Sequence, residues 1–353
     1  MKVAVYGASG YTGRLVTAEA RRRGLDVVVS GRDESRLREV AEGAEVRVAG
    51  VDDAPALARA FEGCDVVVGC AGPFSQVGEP VVRAAIAAGA HYVDTSAEQL
   101  FLRHVFDTYA ERAEQAGVSV VPAVGFDILP GDMIAHLAGA EVEPLDELTI
   151  AYQTNDFDMT RGTIRSSLQV LLDGDLAYED GQWRPAEGLA VKRTSFTFPG
   201  QSEERPTARW PGAEIVTVPR HVRARRLEII TDAAVFTPDM ISLMQLPADQ
   251  WDAVIGQLPE GPSEERRPVA EFTIVAEAIG VDGRRATGVV RATDIYGSAA
   301  VFTVEAARRL AAGEAKAGVL SPAQAFDSAA FLDCLAPHGV EWSVVAGEKV
   351  NAS

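Results

Sequence analysis

The sequence predicts an α/β protein: a doubly wound parallel sheet at the N-terminus, followed by an α+β domain built on a mixed sheet. Three observations predict it. From residue 1 to about 130, short β-branched runs alternate with helical periods, the rhythm of a parallel sheet covered on both faces. Glycines stand at positions 7, 10 and 13, where the first apolar run gives way to the first helical period. Beyond about residue 139 the runs become strand-rich and hairpin-like.

The first strand is KVAVYG (2–7), and the others follow at DVVVSG (26–31), AEVRVAGV (44–51), CDVVVGCAG (64–72), HYVDTS (91–96) and VSVVPAVG (118–125). Helices are expected between them at about 11–24, 33–42, 54–62, 79–89 and 99–116, several closed by a glycine cap. Right-handed crossovers then order the strands 3-2-1-4-5-6 and place ligands beyond their carboxyl ends. Further along, ELTIAYQ (147–153) reads as a strand and 160–174 as a helix with Thr160 as N-cap and Gly174 as its stop. Strands follow at 189–198, 226–232, 269–281 and 284–293, the last two joined through Asp282 and Gly283. Residues 260–268 read as a polar connection, and helices at about 298–312 and 322–336 come last. The resulting division is a nucleotide-binding domain over 1–130, a substrate and dimerisation domain over 131–320, and a C-terminal segment over 321–353 that packs back on the first domain.

A formal charge of −18 repels phosphate backbones and anionic lipid surfaces, so nucleic acid and membrane are not expected partners. Only 4 of the 33 basic residues are lysine, which leaves little for Schiff-base chemistry. Three cysteines without CxxC spacing suggest no disulfide framework and fit a reduced compartment. The five-residue apolar run that ends with Gly7 is too short for a signal or membrane segment, and the cytoplasm is the expected location. No HExxH and no clustered His and Cys set occurs, so no metal is expected.

The glycines read as a GxxGxxG turn between strand and helix, where missing Cβ atoms let backbone approach a pyrophosphate at a helix N-terminus. This makes the first domain a Rossmann fold. Where an NAD site carries an acid, at the end of the second strand, this chain has Ser30, Gly31 and Arg32. A hydroxyl and a guanidinium suit a 2′-phosphate, so NADP is the expected cofactor.

The combination of GASGYTG, CAGPF with VGEPVVRAA (70–85), HYVDTSAE (91–98) and GFDILPGD (125–132) resembles the saccharopine dehydrogenase-like reductases, a group that includes trans-acting enoyl reductases. The likeness extends through RGTIRSSLQVL, ARWPGAEIVTVPRHV and GVLSPAQAF. It implies a second, pocket-forming domain, a homodimer, and reduction of a C=N (imine) or C=C (enoyl) bond in a small or carrier-bound substrate. A nucleotide-binding scaffold or redox sensor without turnover is the alternative. Carried over by position, it implies that Gly7, Ser9, Gly10, Tyr11, Thr12 and Gly13 line the diphosphate, and Ser30 and Arg32 the adenosine phosphate. Cys70, Ala71, Gly72 and Pro73 then run beside the nicotinamide ribose, with Pro73 and Phe74 against one face of the ring. Ala97 departs from the glycine that relatives often carry before the glutamate, which bears on the aim of Glu98.

Hydride transfer needs an acid for the accompanying proton. Asp127 and Glu98 are the candidates, Asp127 serving equally well as a helix cap. Asp94 is a weaker candidate, and His91 and Tyr92 begin a strand at the wrong edge. No Tyr-x-x-x-Lys pair occurs. Arg161 and Arg165, at i and i+4, and the basic stretch 209–226 are candidates to receive an anionic substrate or carrier, with solvated surface as the alternative.

Overall fold

The computed structural model describes residues 1–347 of the chain. Its elements run β1 (Lys2–Tyr6), α1 (Tyr11–Arg22), β2 (Asp26–Gly31), α2 (Glu34–Ala41), β3 (Glu45–Val48), α3 (Ala54–Phe61), β4 (Val66–Gly69), α4 (Phe74–Ala87), β5 (His91–Asp94), α5 (Gln99–Ala116) and β6 (Ser119–Val121). There follow α6 (Leu129–Val142), β7 (Leu145–Asn155), α7 (Arg161–Asp173), β8 (Leu176–Glu179), β9 (Gln182–Pro185), β10 (Ser195–Phe196), β11 (Arg205–Arg209), α8 (Glu214–Thr217), β12 (Ala224–Asp232), α9 (Pro238–Met244) and α10 (Ala248–Ile255). The chain closes with β13 (Glu271–Gly280), β14 (Arg285–Thr293), α11 (Ile295–Ala311), β15 (Gly318–Val319), α12 (Pro322–Ala325), α13 (Ser328–Cys334) and β16 (Glu341–Gly347).

Two compact units result, one of Met1–Leu129 with Tyr296–Asp327, the other of Pro130–Ile295 with the described residues from Ser328 to Gly347. The first is a parallel sheet in the order β15-β6-β5-β4-β1-β2-β3. This is the expected Rossmann order read from the other edge, with β15 added beyond β6. Val66 to Gly69 of β4 are buried without a break, as a strand covered on both faces must be. Helix α11 lies along α1: Tyr11 and Tyr296 meet ring to ring at 5.2 Å and Arg23 reaches Glu305 at 2.7 Å.

The second unit is a mixed sheet in the order β10-β11-β12-β7-β13-β14-β16. Phe196, Phe198, Ala151, Ile230 and Val275 form a core on one face. Helices α7, α9 and α10 close a separate apolar cluster around Ile164, Leu168, Leu243 and Ile255.

Several expectations need correction. The last segment does not simply return to the first unit: the return is made by Tyr296–Asp327, whereas β16 pairs with β14 from Arg285↔Gly347 to Arg291↔Glu341. The expected helix over 322–336 is split at Phe326 and Asp327, where the chain passes between units. The expected helix at 79–89 begins five residues earlier, at Phe74, because Pro73 occupies the N-cap and Pro80 is tolerated inside. Only Ser195 and Phe196 of the expected strand 189–198 are paired.

Candidate functional site

The site is built at the carboxyl ends of the parallel strands of the first unit. Gly7 has φ +82°, and a Cβ there would lie 2.8 Å from the Ala71 nitrogen. At Gly13 it would lie 2.2 Å from the Gly7 carbonyl oxygen, so only glycine lets α1 start this close to the turn. The Gly7 and Ala8 N–H groups donate to the Ser30 carbonyl at 2.8 and 3.3 Å, tying the turn to β2. Gly10 caps α1 without a side-chain hydrogen bond, and the first turn of α1 carries no acid. The helix N-terminus is therefore left to attract an anion, and the cradle fits a dinucleotide diphosphate. Of the other expected lining residues, Ser9, Tyr11 and Thr12 are partly exposed around this turn.

At the adenosine end the expectation for Ser30 is corrected. Its side chain is fully buried and its Oγ has no hydrogen-bond partner; the residue braces the glycine turn through its backbone instead. Arg32 is exposed just beyond β2. Asp33 is the N-cap of α2, its Oδ1 accepting from Ser35 Oγ at 2.7 Å and from the Arg36 N–H at 3.2 Å. These two bonds, the Ser35 hydroxyl's above all, hold its carboxyl below the usual range. Sequence reasoning missed Arg14 and Arg36, which both donate to the Ser9 carbonyl, at 2.9 and 3.3 Å. Their signal was slight: Arg14 directly follows the last of the three glycines, and Arg36 stands four residues after Arg32.

Beyond β4, Cys70, Ala71, Gly72 and Pro73 follow one another into α4, and the Cys70 N–H donates to the Tyr6 carbonyl at 2.8 Å. Burial, with the Asp94 charge behind it, pushes the Cys70 thiol up, so it is no nucleophile. Phe74 does not offer an open face: it is buried, its ring 5.7 Å from that of Phe101. Glu98 is likewise corrected. Its two oxygens accept from the Phe74 and Ser75 N–H groups at 2.7 and 2.6 Å, so it caps α4 from a buried position and is not placed as a proton donor.

Asp94 is a buried hub. Its Oδ2 accepts from Tyr92 Oη at 2.9 Å, and its Oδ1 from Ser96 Oγ at 2.6 Å and from the Ala123 N–H at 2.8 Å. Burial raises its carboxyl against these bonds. The Ala123 contact holds that residue at φ +61°, in the left-handed region, and so fixes the path into the turn that carries Asp127. A Cβ at Gly125 would lie 2.8 Å from Asp127 Oδ1 and 3.8 Å from Thr95 Cα, which places the turn beside the end of β5. Burial pushes the Asp127 carboxyl up to about 7, so it exchanges a proton near neutrality, as a general acid must.

The arginines expected to greet a substrate are engaged within the second unit. Arg161 donates to the Leu258 carbonyl and Arg165 to Asp252 at 2.8 Å, fastening α7 to α10 and its loop. In the basic stretch, Arg220 lies 5.5 Å over the Trp183 ring, and Arg223, Arg225 and Arg226 pair with Glu143, Asp146 and Glu147. His221 Nε2 meets Asp132 at 2.9 Å, and Tyr152 donates to buried Glu214. Among the described residues no group of three or more His, Cys, Asp or Glu is placed to hold a metal ion, and no helix is long and apolar enough to cross a membrane.

Residues 3–121 match the family of saccharopine dehydrogenase NADP-binding domains. A saccharopine dehydrogenase-like oxidoreductase of Bos taurus is 24% identical over 98% of this chain and 97% of its own. A provisionally named trans-acting enoyl reductase of Mycobacterium tuberculosis is 32% identical over 48% of this chain and 44% of its own. Among solved structures, apo saccharopine dehydrogenase (L-Glu forming) from Saccharomyces cerevisiae superposes with a TM-score of 0.65 over 98% of this chain and 99% of that one. At 15% identity that likeness shows the fold alone.

Proposed function

We propose that this chain is a saccharopine dehydrogenase-like, NADP-dependent oxidoreductase that reduces a C=N or C=C bond of a small or carrier-bound substrate, with Asp127 supplying the proton. Bound NADPH supplies the hydride. The chain's own residues hold the diphosphate on the glycine turn, run from Cys70 to Pro73 along the nicotinamide ribose, and keep a proton on Asp127. The Asp127 carboxyl carries the reading: it is raised to about 7 in the turn that leads from β6 into α6, whereas Glu98 and Asp94 are committed as acceptors of backbone N–H groups. In this reading the second unit shapes the substrate pocket and joins two protomers.

The proton matters as much as the hydride. As hydride reaches the electrophilic carbon, the pair of electrons of the broken π bond takes the Asp127 proton, and the carboxylate left behind is reprotonated from water. NADPH consumption against a panel of imines and enoyl thioesters tests the proposal. Turnover of one class assigns the branch; tight NADPH binding with turnover of neither would leave a nucleotide-binding scaffold.

A further inference from the structure

We propose that Asp94 is a buried counter-charge for the oxidised nicotinamide ring, which tightens NADP+ relative to NADPH and makes bound NADPH the stronger hydride donor. The inference rests on the NADP-binding reading and adds a residue that tunes the potential of the bound cofactor. Asp94, Tyr92, Ser96 and Ala123 are all fully buried. Asp94 Oδ1 accepts from the Ser96 N–H at 3.0 Å, from Ser96 Oγ at 2.6 Å and from the Ala123 N–H at 2.8 Å, and Oδ2 accepts from Tyr92 Oη at 2.9 Å. Backbone N–H groups can only donate, so such a donor set favours the ionised carboxylate. Among the described residues no arginine, lysine or histidine pairs with it. A buried charge ordinarily has an opposite charge beside it, which leaves this anion to meet a cation that the cofactor brings.

Its place in the sheet says which cation. Asp94 ends β5, level with Gly69 at the end of β4. A Cβ at Gly69 would lie 2.6 Å from Tyr92 Oη and 3.1 Å from Asp94 Cβ, so only glycine fits opposite the carboxylate. From Gly69 the chain passes into Cys70–Pro73, the run that follows the nicotinamide ribose in this reading. The Asp94 charge is felt along that run: after burial itself, it is what pushes the Cys70 thiol up. The nicotinamide ring is neutral in NADPH and cationic in NADP+, the hydride with its two electrons having passed to the substrate carbon. A fixed anion at this strand end favours the cationic form, and burial shields its field from salt and water.

The test is a ratio of affinities, not turnover. Fluorescence titration with NADPH, and its competition by NADP+, gives both dissociation constants for the wild type, Asp94→Asn and Tyr92→Phe. Asp94→Asn removes the charge and keeps the fit, because the amide oxygen accepts from Ser96 and Ala123 while the NH2 group donates to Tyr92 Oη. It is expected to raise Kd(NADP+)/Kd(NADPH) about tenfold, the scale of one charge acting across a protein site. That change corresponds to about 30 mV for a two-electron couple. Tyr92→Phe keeps the charge and is expected to move the ratio by less than about twofold. Equal loss of both nucleotides in Asp94→Asn, or an unmoved ratio, would make Asp94 a brace for the strand end and overturn the counter-charge while NADP binding stood. So would a Tyr92→Phe shift as large as that of Asp94→Asn. If Asp94→Asn did not fold, the wild type decides: NADP+ bound no more weakly than NADPH supports the counter-charge, and a clear preference for NADPH overturns it. A wild type that bound neither would remove the cofactor reading itself, and the inference with it.

Discussion

At the scale of single residues, two carboxyls that look alike in sequence behave oppositely. Asp127 is raised by burial to about 7, so Asp127→Asn is expected to slow turnover at least a hundredfold while leaving NADPH affinity unchanged, by analogy with other general acids. Reductive turnover of the wild type should fall about tenfold per pH unit above about 7, as the proton is lost. The same residue has a stability signature. Its native pKa lies above the unfolded value of about 3.9, so the native state holds the extra proton, and stability falls as pH rises from about 4 to about 7. Asp127→Asn should therefore raise Tm more at pH 8 than at pH 4, which calorimetry at the two values checks. Glu98→Gln tests the other carboxyl. It places an amide where both oxygens now accept N–H groups and should cost about 2 kcal/mol in chemical denaturation, with the pH profile of turnover unmoved.

At the scale of elements, the docking of α11 on α1 hangs on one buried charge. Burial acts against ionisation of Glu305, but hydrogen bonds from Arg308 and Arg309, with Arg23 behind them, hold its carboxyl at about 2. Because this lies below the unfolded value of about 4.3, the pairing stabilises fully above about pH 5 and is lost as pH falls toward 2. Glu305→Gln is expected to destabilise by about 3 kcal/mol at pH 7, because it takes one anion from buried Arg309 and from Arg23. Denaturation at pH 2.5 should show only about a quarter of that difference. The secondary structure here was legible where a period was long: β7, β13, β14 and α7 stand within about two residues of their expected ends. The short strands β8, β9 and β15 were not, because four residues or two carry no period and are strands only through their partners.

At the scale of the whole molecule, the chain is not two domains in series. The NADP-binding unit takes α11 and β15 from beyond residue 295, and β15 covers β6 through Gly318↔Ser119 and Val319↔Val120. The fragment 1–129 lacks that strand and the helix that carries Glu305, which pairs with Arg23 beside Glu19. It is expected to bind a hydrophobic dye, to unfold without a cooperative transition and to hold NADPH far more weakly than the full chain. A cooperative fragment with the full chain's affinity would show the return segment to be dispensable. Conversely, the last strand serves the second unit, β16 pairing with β14 over seven residues.

The sequence by itself determined the Rossmann order and the glycine turn, because both follow from local rules: buried parallel strands are continuous apolar runs, and a backbone that must approach another backbone needs glycine. It also offered Arg32 and Asp127 as candidates for the proposed site. Only tertiary structure decided what the remaining polar groups do. Glu98 became a cap because α4 begins beside it, Ser30 was buried because its strand end is packed under the turn, and Arg36 reached the glycine turn because α2 turns it toward Ser9. A side chain's role depends on which donors and acceptors lie within about 3 Å, and those neighbours, being distant in sequence, leave no trace in its local pattern.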